Sequence, residues 1–458
     1  MVSLAFHFRS MMRTFLAFLL VMPLMVQPVL AQSILRDAET ESLFDEMSAP
    51  LIAAAGLDPR NVKVVLINDK EINAFVAGGQ YVYVHSGLIA AADNANEVQG
   101  VIAHELGHVA GGHVIRSSEG IKQATGITLL SLLLGAAAIA AGAGEAGAGI
   151  LGVGQQVALS QFLAFTRTQE SSADLAGAKY LSTAGISGRG SLAFFKKLLG
   201  LEYRLAIPQD DSYARTHPLS GERIAILQEG YQSDPSWNKL TDPALEARFQ
   251  RVKAKLKGFV SDPVNTLRDY PESNNSIPAH YARAYAWHRS AYPEKALEEA
   301  DALLKAVPGD PYFLELKGQI LLESGKPTEA LPILRQAVAK TNAQPLIASL
   351  FGHALIATED QANFAEAETV LKASVSKDNE NPFAWYQLGV VYDRGGDTAR
   401  ASMATAERYH LQGQPKLALV NAEIAVRGLP PGSPDWIRAQ DLVLVSRAAA
   451  DDKKRRRR

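Results

Sequence analysis

The stretch VIAHELGHVAGGHVIRSS, which begins at Val101, holds three of the chain's ten histidines. His104 and His108 are four residues apart. On a helix such positions differ by about 40°, so both imidazoles can grip one ion. Glu105 lies about 100° from His104, beside an ion rather than on it. A carboxylate there can take a proton from a water bound to the metal. The pattern therefore predicts a zinc centre with Glu105 as general base. Catalytic zinc usually takes three protein ligands and a water, so two histidines are too few.

His113 is one candidate for the third ligand. In the spacing H-E-x-x-H-x-x-G-x-x-H, Gly111 stands where the glycine belongs, but the last histidine falls on Val114. The methionine turn of that pattern is missing too, since no methionine lies between Met47 and Met403. In a continued helix His113 would sit about 140° from His108, which gives it a hydrogen-bonded packing role. The other candidate lies in FTRTQESSADLAGAKYLSTAG, where Glu170 and Asp174 are four apart on a second predicted helix. Glu170 can complete a His-His-Glu site, and Asp174 can hold the outer nitrogen of a ligating histidine. Ala173, Ala176 and Ala178 let the two helices approach closely. A third piece, YARTHPLSGERIAIL, supplies His217 and Arg223. Either could stabilise the oxyanion formed when water attacks a peptide carbonyl.

These side chains need elements to position them. Val98, Val101, Ile102, Leu106 and Val109 give the HELGH segment the apolar period of a buried helix. Upstream, YVYVHSGL alternates as a strand does, with Tyr81, Tyr83 and His85 on one face and Val82 and Val84 on the other. Gly78-Gly79 makes the turn before it. Tyr81, Val82, Tyr83 and Val84 are expected as an edge strand that could hold an extended substrate by main-chain pairing. Between the motifs lies an apolar insert, about 121–165. Its charge-free run from Ile127 to Gly144 is 18 residues and rich in Ala and Gly, whereas a span needs about 20 strongly apolar residues. The insert is expected to be a helical hairpin that covers the cleft as a lid or lies on a membrane surface.

The chain has 458 residues, 47% apolar and 21% charged, enough for two or three packed domains. A net charge of −2 gives no global attraction for nucleic acid. With no cysteine, thiol catalysis, zinc-thiolate sites and disulfides are excluded. Residues 1–31 read as a signal peptide: Arg9 and Arg13, an apolar run, and Val29-Leu30-Ala31 before Gln32. Pro23, Pro28 and the small Ala31 favour cleavage over a retained anchor. Residues 32–255 form the metal domain and 256–278 a Pro/Asn/Ser-rich linker. A helical repeat follows over 279–450. Ala284, Gly318, Gly352 and Gly389 are 34, 34 and 37 residues apart, and Ala296, Ala330, Ala367 and Ala401 keep step. Small residues at that period, with Pro311, Pro345 and Pro382 at repeat starts, are the tetratricopeptide signature. The insertion falls in TEDQAN, a divergent pair after Lys416 caps the array, and the basic tail 451–458 is solvated.

HELGH at 104–108, ESSAD at 170–174, THPLSGERI at 216–224 and NAFVAGGQYVYVHSGLI at 73–89 together resemble the HtpX/BepA-type zinc metallopeptidase family, over roughly residues 40–230. The repeats resemble the C-terminal part of its periplasmic members that act in β-barrel assembly. The resemblance implies an α+β, mostly helical fold. A gluzincin-type domain with a small β-sheet would be followed by an α-solenoid of tetratricopeptide repeats. It implies one Zn2+ per chain, with His104, His108 and Glu170 as ligands, Glu105 as base and Asp174 in support. His217 would face the zinc, either stabilising the transition state or occupying the open position at rest, and Arg223 matches the family arginine. The implied function is a periplasmic endopeptidase, peripheral to a membrane or free of it. Its clients would be unfolded or misassembled outer-membrane proteins, and its partner the barrel-assembly machinery, with no nucleic acid. The competing expectation is a chaperone or scaffold with a mostly closed metal site.

Overall fold

The computed structural model describes residues 33–140, 144–204, 217 and 220–455. The signal segment 1–31 and tail residues 456–458 lie outside the described residues. The first half of the chain opens with strand β1 (Ser33–Leu35) and helix α1 (Ala38–Ala54), whose start is capped by Asp37 accepting from the Thr40 amide. Strands β2 (Lys63–Asn68), β3 (Ala74–Ala77) and β4 (Tyr81–His85) follow, then α2 (Ser86–Ala91) and α3 (Ala95–Ala110). Two long helices come next, α4 (His113–Ala140) and α5 (Gly144–Thr183), then α6 (Arg189–Arg204), α7 (Gly221–Gln232) and α8 (Pro243–Val260).

The sheet order is β1-β2-β4-β3, with β2 and β4 parallel and the other pairs antiparallel. Val82 and Val84 are fully buried, while Tyr81 and Tyr83 are half-buried on the opposite face, as their alternation requires. The expectation that Tyr81, Val82, Tyr83 and Val84 form an edge strand is corrected. β4 pairs with β2 on one side and β3 on the other, and the edges are β1 and β3. The cause is the Gly78-Gly79 turn. Both glycines take positive φ (62° and 102°), which folds Ala74–Ala77 back onto β4.

Helix α3 is buried along almost its whole length, from Ala95 to His108. It packs among α1, α5, α6 and α8 and beneath the sheet. Leu43, Val84, Val101, Leu106, Phe195 and Phe249 share that core. The core runs on through Val252 and Leu256 of α8. The expected linker 256–278 is therefore partly helical. Residues 256–260 end α8, 263–269 form α9 (Pro263–Asp269) and 277–278 open α10 (Ile277–Arg289), with Pro263 and Pro278 in first helical turns, where their missing N–H costs nothing, while 270–276, with Pro271, form no regular element.

Paired helices then follow at the expected period. They are α10 with α11 (Pro293–Ala306), α12 (Pro311–Glu323) with α13 (Pro327–Lys340), and α14 (Pro345–Ala357) with α15 (Phe364–Lys377). The last two pairs are α16 (Pro382–Arg394) with α17 (Thr398–Leu411), and α18 (Pro415–Gly428) with α19 (Pro434–Arg455). The TEDQAN insertion becomes a single 3-10 turn, Gln361–Asn363. A Cβ on Gly318 would lie 2.4 Å from Leu334 and one on Gly352 2.5 Å from Leu371, so the small residues do permit close helix pairing.

The array is fastened to the metal domain through the start of α1. Ala38 packs with Leu314, Ala337 and Ile347. The Tyr281 hydroxyl donates to Glu39 (2.6 Å), Lys255 pairs with Asp37 (2.5 Å) and Arg251 with Asp310 (2.8 Å). Arg36 reaches Asp378 (2.9 Å) from the same segment.

Candidate metal centre

Two glycines bring the two motif helices together. A Cβ on Gly107 would lie 2.6 Å from the Ala173 carbonyl oxygen, and one on Gly177 3.0 Å from the Ala103 backbone. With neither side chain present, α3 and α5 touch backbone to backbone, and Glu170 faces His104 and His108. His104 Nε2 and His108 Nε2 are 3.1 Å apart, and each lies 3.4 Å from a Glu170 oxygen. Ligands at about 2.0–2.1 Å on a tetrahedral ion are separated by about 3.3 Å, so the three atoms fit a single zinc-sized ion. All three side chains are buried. Together with His217 they form a group able to hold a metal ion.

The outer atoms are held as well. His104 Nδ1 lies 2.9 Å from Asp174 Oδ1, close but off the ideal hydrogen-bond line. Arg223 donates to both oxygens of Asp174 (2.6 and 2.9 Å) and its Nη2 is 3.2 Å from Glu170 Oε2. Arg223 thus sits behind the carboxylates, not where an oxyanion would form. Its place is set by the start of α7, where Ser220 caps the Arg223 amide (3.2 Å).

His113 is the residue that spacing misplaces. Helix α3 stops at Gly111-Gly112, and Gly112 takes φ 61°. The chain changes direction there, so the angle of a continued helix does not apply. His113 Nδ1 comes to 3.0 Å from His108 Nδ1, and its ring lies over Gly111, where a Cβ would meet Nε2 at 2.4 Å. The packing role is correct, but the hydrogen bond goes to the histidine beside the centre. The Gly-Gly pair was the available signal.

His217 stands inside the group. Its Nδ1 is 3.2 Å from both Glu170 oxygens and 3.4 Å from His104 Nε2. Its Nε2 is 3.3 Å from the Ala74 carbonyl of edge strand β3 and 3.6 Å from Glu105 Oε1. Glu105 has no exposed surface and neither carboxylate oxygen has a hydrogen-bond partner among the described residues. Burial pushes its pKa up, against the pull of His217 and His104.

Charge is apportioned by these neighbours. Burial, then the neighbouring His104 and His217, push His108 down to about 2, so it keeps a free lone pair. Burial disfavours charge on His104, but bonds to Asp174 and Glu170 outweigh it and push it up to about 10 in the metal-free chain. Burial opposes ionisation of Glu170, yet His104 and His217 hold its carboxyl well below the usual range. The donor set, two imidazoles and one carboxylate with a spare buried carboxylate alongside, suits a hydrolytic metal centre.

The hairpin of α4 and α5 starts at this centre and leaves it. The 28 residues of α4 carry its far end about 40 Å from His113, and α5 packs against it. Leu129, Leu130, Leu132, Leu133 and Leu134 are all exposed, and α5 has the length and composition of a membrane span.

Residues 35–230 match peptidase family M48, and residues 289–345 match the tetratricopeptide repeat. Among curated proteins the chain is similar to the beta-barrel assembly-enhancing protease of Yersinia pestis, 27% identical over 338 residues, covering 71% of this chain and 65% of that one. It is similar to the protein of the same name from Escherichia coli K12, 28% identical over 285 residues, covering 59% and 56%. Metalloprotease LoiP of the same strain is 35% identical over 178 residues, 38% of this chain and 64% of LoiP. The chain spans 56% to 65% of the length of the assembly-enhancing proteases it matches.

Proposed function

We infer, from a peptidase family M48 domain joined to tetratricopeptide repeats, that this chain is a zinc endopeptidase of the bacterial periplasm. Its clients are misassembled outer-membrane β-barrel proteins, and its repeats dock it to the assembly machinery; relatives named beta-barrel assembly-enhancing protease support a role in that assembly. The observation that carries the reading is a buried Glu105, with no hydrogen-bond partner among the described residues, beside three converging ligand atoms. His104, His108 and Glu170 would hold the ion, which when bound would supply Lewis acidity to the centre. Asp174 orients His104, and His113 orients His108. Arg223 neutralises Asp174 and keeps it in place. Glu105 accepts the water's proton and passes it toward the leaving amine. The free edge of β3 offers main-chain pairing to an extended client.

His217 is the resting occupant of the centre. It lies between Glu170 and the Ala74 carbonyl, in the space a client strand on β3 would need. The same placement supports a second reading, a chaperone with a closed metal site. Degradation of an unfolded outer-membrane protein by the full mature chain separates them. Glu105→Gln should keep zinc and lose about 10²–10⁴ in rate, while His217→Ala should raise basal cleavage. Activity retained in Glu105→Gln would remove the base assignment, and a parent and His217→Ala both inert would leave the chaperone. The exposed leucines of the α4–α5 hairpin are read as a lipid contact: Leu129, Leu130, Leu132, Leu133 and Leu134 spread over about 200° of α4, a broader face than one groove covers.

A further inference from the structure

We propose that Asp69, Glu71 and His85 form a second divalent-cation site, distinct from the His104 centre, for a borderline transition ion such as Mn2+ or Zn2+. The three side chains each offer a ligand atom within 4.8 Å of the others. His85 ends β4 and is 1% exposed, yet among the described residues neither ring nitrogen has a hydrogen-bond partner of normal geometry. A buried imidazole left this way loses the bonds it had in water, which is costly unless something else occupies the nitrogen. Its Nδ1 lies 3.8 Å from Asp69 Oδ1. That is too long for a hydrogen bond and within the roughly 4 Å that two ligands span when each binds one ion at about 2.1 Å.

The backbone around the site is clamped in advance. The Asp69 carbonyl accepts from the Ser86 hydroxyl (2.7 Å) and the Gly87 amide (2.8 Å), and the Glu71 amide donates to Asp69 Oδ1 (2.9 Å). A Cβ on Gly87 would lie 2.2 Å from the Lys70 carbonyl, so the Asp69–Glu71 turn rests directly on the glycine backbone. Burial lowers the His85 pKa against the pull of Asp69 and Glu71, which keeps the ring neutral and its lone pair available. One imidazole and two carboxylates suit Zn2+, Mn2+ or Fe2+, whereas Ca2+ seeks six to eight oxygens. Two carboxylates balance the charge of a divalent ion. The Asp69 side chain is 22% exposed, which leaves a path for entry and room for water ligands. The site also reaches the main centre. The His85 amide donates to the Asn73 carbonyl (3.0 Å), and Asn73 precedes Ala74, whose carbonyl lies against His217. An ion here would stiffen the turn that leads into edge strand β3.

The test is metal content of the full mature chain after chelation, dialysis and reloading with Zn2+ or Mn2+. About two equivalents of Zn2+ are expected in the parent, and about one in Asp69→Asn, Glu71→Gln and His85→Asn. A His104→Ala/His108→Ala double variant should keep the second equivalent, so failure of the main centre and of this site are read separately. Asp69 and Glu71 are part-exposed, so their variants stay informative if His85→Asn does not fold. Bound Mn2+, seen as a broadened paramagnetic resonance signal, should be lost in Asp69→Asn and retained in the double variant. A parent that loads no ion beyond the one the double variant loses overturns the proposal. So does a second equivalent that persists in both Asp69→Asn and Glu71→Gln.

Discussion

His108 and His113 share one hydrogen bond between Nδ1 atoms, and only one of the two can donate it. For His108 to present a lone pair at Nε2, its Nδ1 must carry the proton, so His113 must accept. That makes His113 a positioning residue, like Asp174 behind His104. Glu170→Ala should abolish stoichiometric zinc. His113→Ala should keep full occupancy at excess zinc while weakening affinity by about 10–100-fold. Competition against a chelator measures both. Equal affinity in parent and His113→Ala would mean that the bond to His108 orients nothing. His104 with His108, and Glu170 with Asp174, were legible as pairs because helical spacing puts each pair on one face of its own helix. His113 was not, because its position depends on where the helix ends.

At the scale of elements, the centre exists because α3 and α5 meet without side chains between them. Alanine is a better helix former than glycine by about 1 kcal/mol, so Gly107→Ala would stabilise an isolated helix. Here the added Cβ meets the Ala173 backbone, at 2.6 Å from its oxygen. Gly107→Ala should therefore lower both thermal stability and zinc content. Gly230→Ala on α7, where a Cβ meets nothing within 4 Å, should lower neither. If Gly107→Ala matches the parent in melting and in zinc, the close approach does not set the site. The hairpin makes a separate prediction. The mature chain should float with phospholipid vesicles, and Leu130→Glu/Leu133→Glu should remain at the bottom of the gradient with its zinc intact. Vesicle binding unchanged by the two glutamates would place the lipid contact elsewhere.

At the scale of the whole molecule, the two halves meet over buried charge. Glu315 of α12 is enclosed near Lys255, Asp37, Glu39 and Glu41. Burial, opposed by Lys255 and reinforced by the three carboxylates, pushes its pKa up to about 8 from 4.5. The folded chain then holds a proton there that the unfolded chain releases. By linkage, the stability this proton provides is complete below about 4.5 and is lost as pH rises through about 8. Glu315→Gln should melt as the parent does near pH 5 and higher at pH 8, by roughly 2–4 °C for each kcal/mol recovered. Parallel melting curves of the two proteins from pH 5 to 8 would show that Glu315 is ionised throughout. This junction engages the repeats with Ala38 and the residues around it, so docking partners must use another face of the array.

The sequence by itself determined the elements whose causes are local. Period 3.6 marked α3, alternation marked β4, Gly78-Gly79 marked the turn, and the 34-residue step of small residues marked the repeats. These signals need only neighbouring residues. The tertiary structure alone decided which strands are the edges, because pairing with β2 and β3 joins segments that no local pattern connects. It decided that much of 256–278 is helical, in the end of α8, in α9 and in the start of α10, since burial of Val252 and Leu256 against the first core draws α8 onward. It also decided that His217 lies among the ligand atoms and that Glu105 has no hydrogen-bond partner among the described residues. Those facts depend on distances between side chains more than a hundred residues apart, which packing sets and spacing does not record.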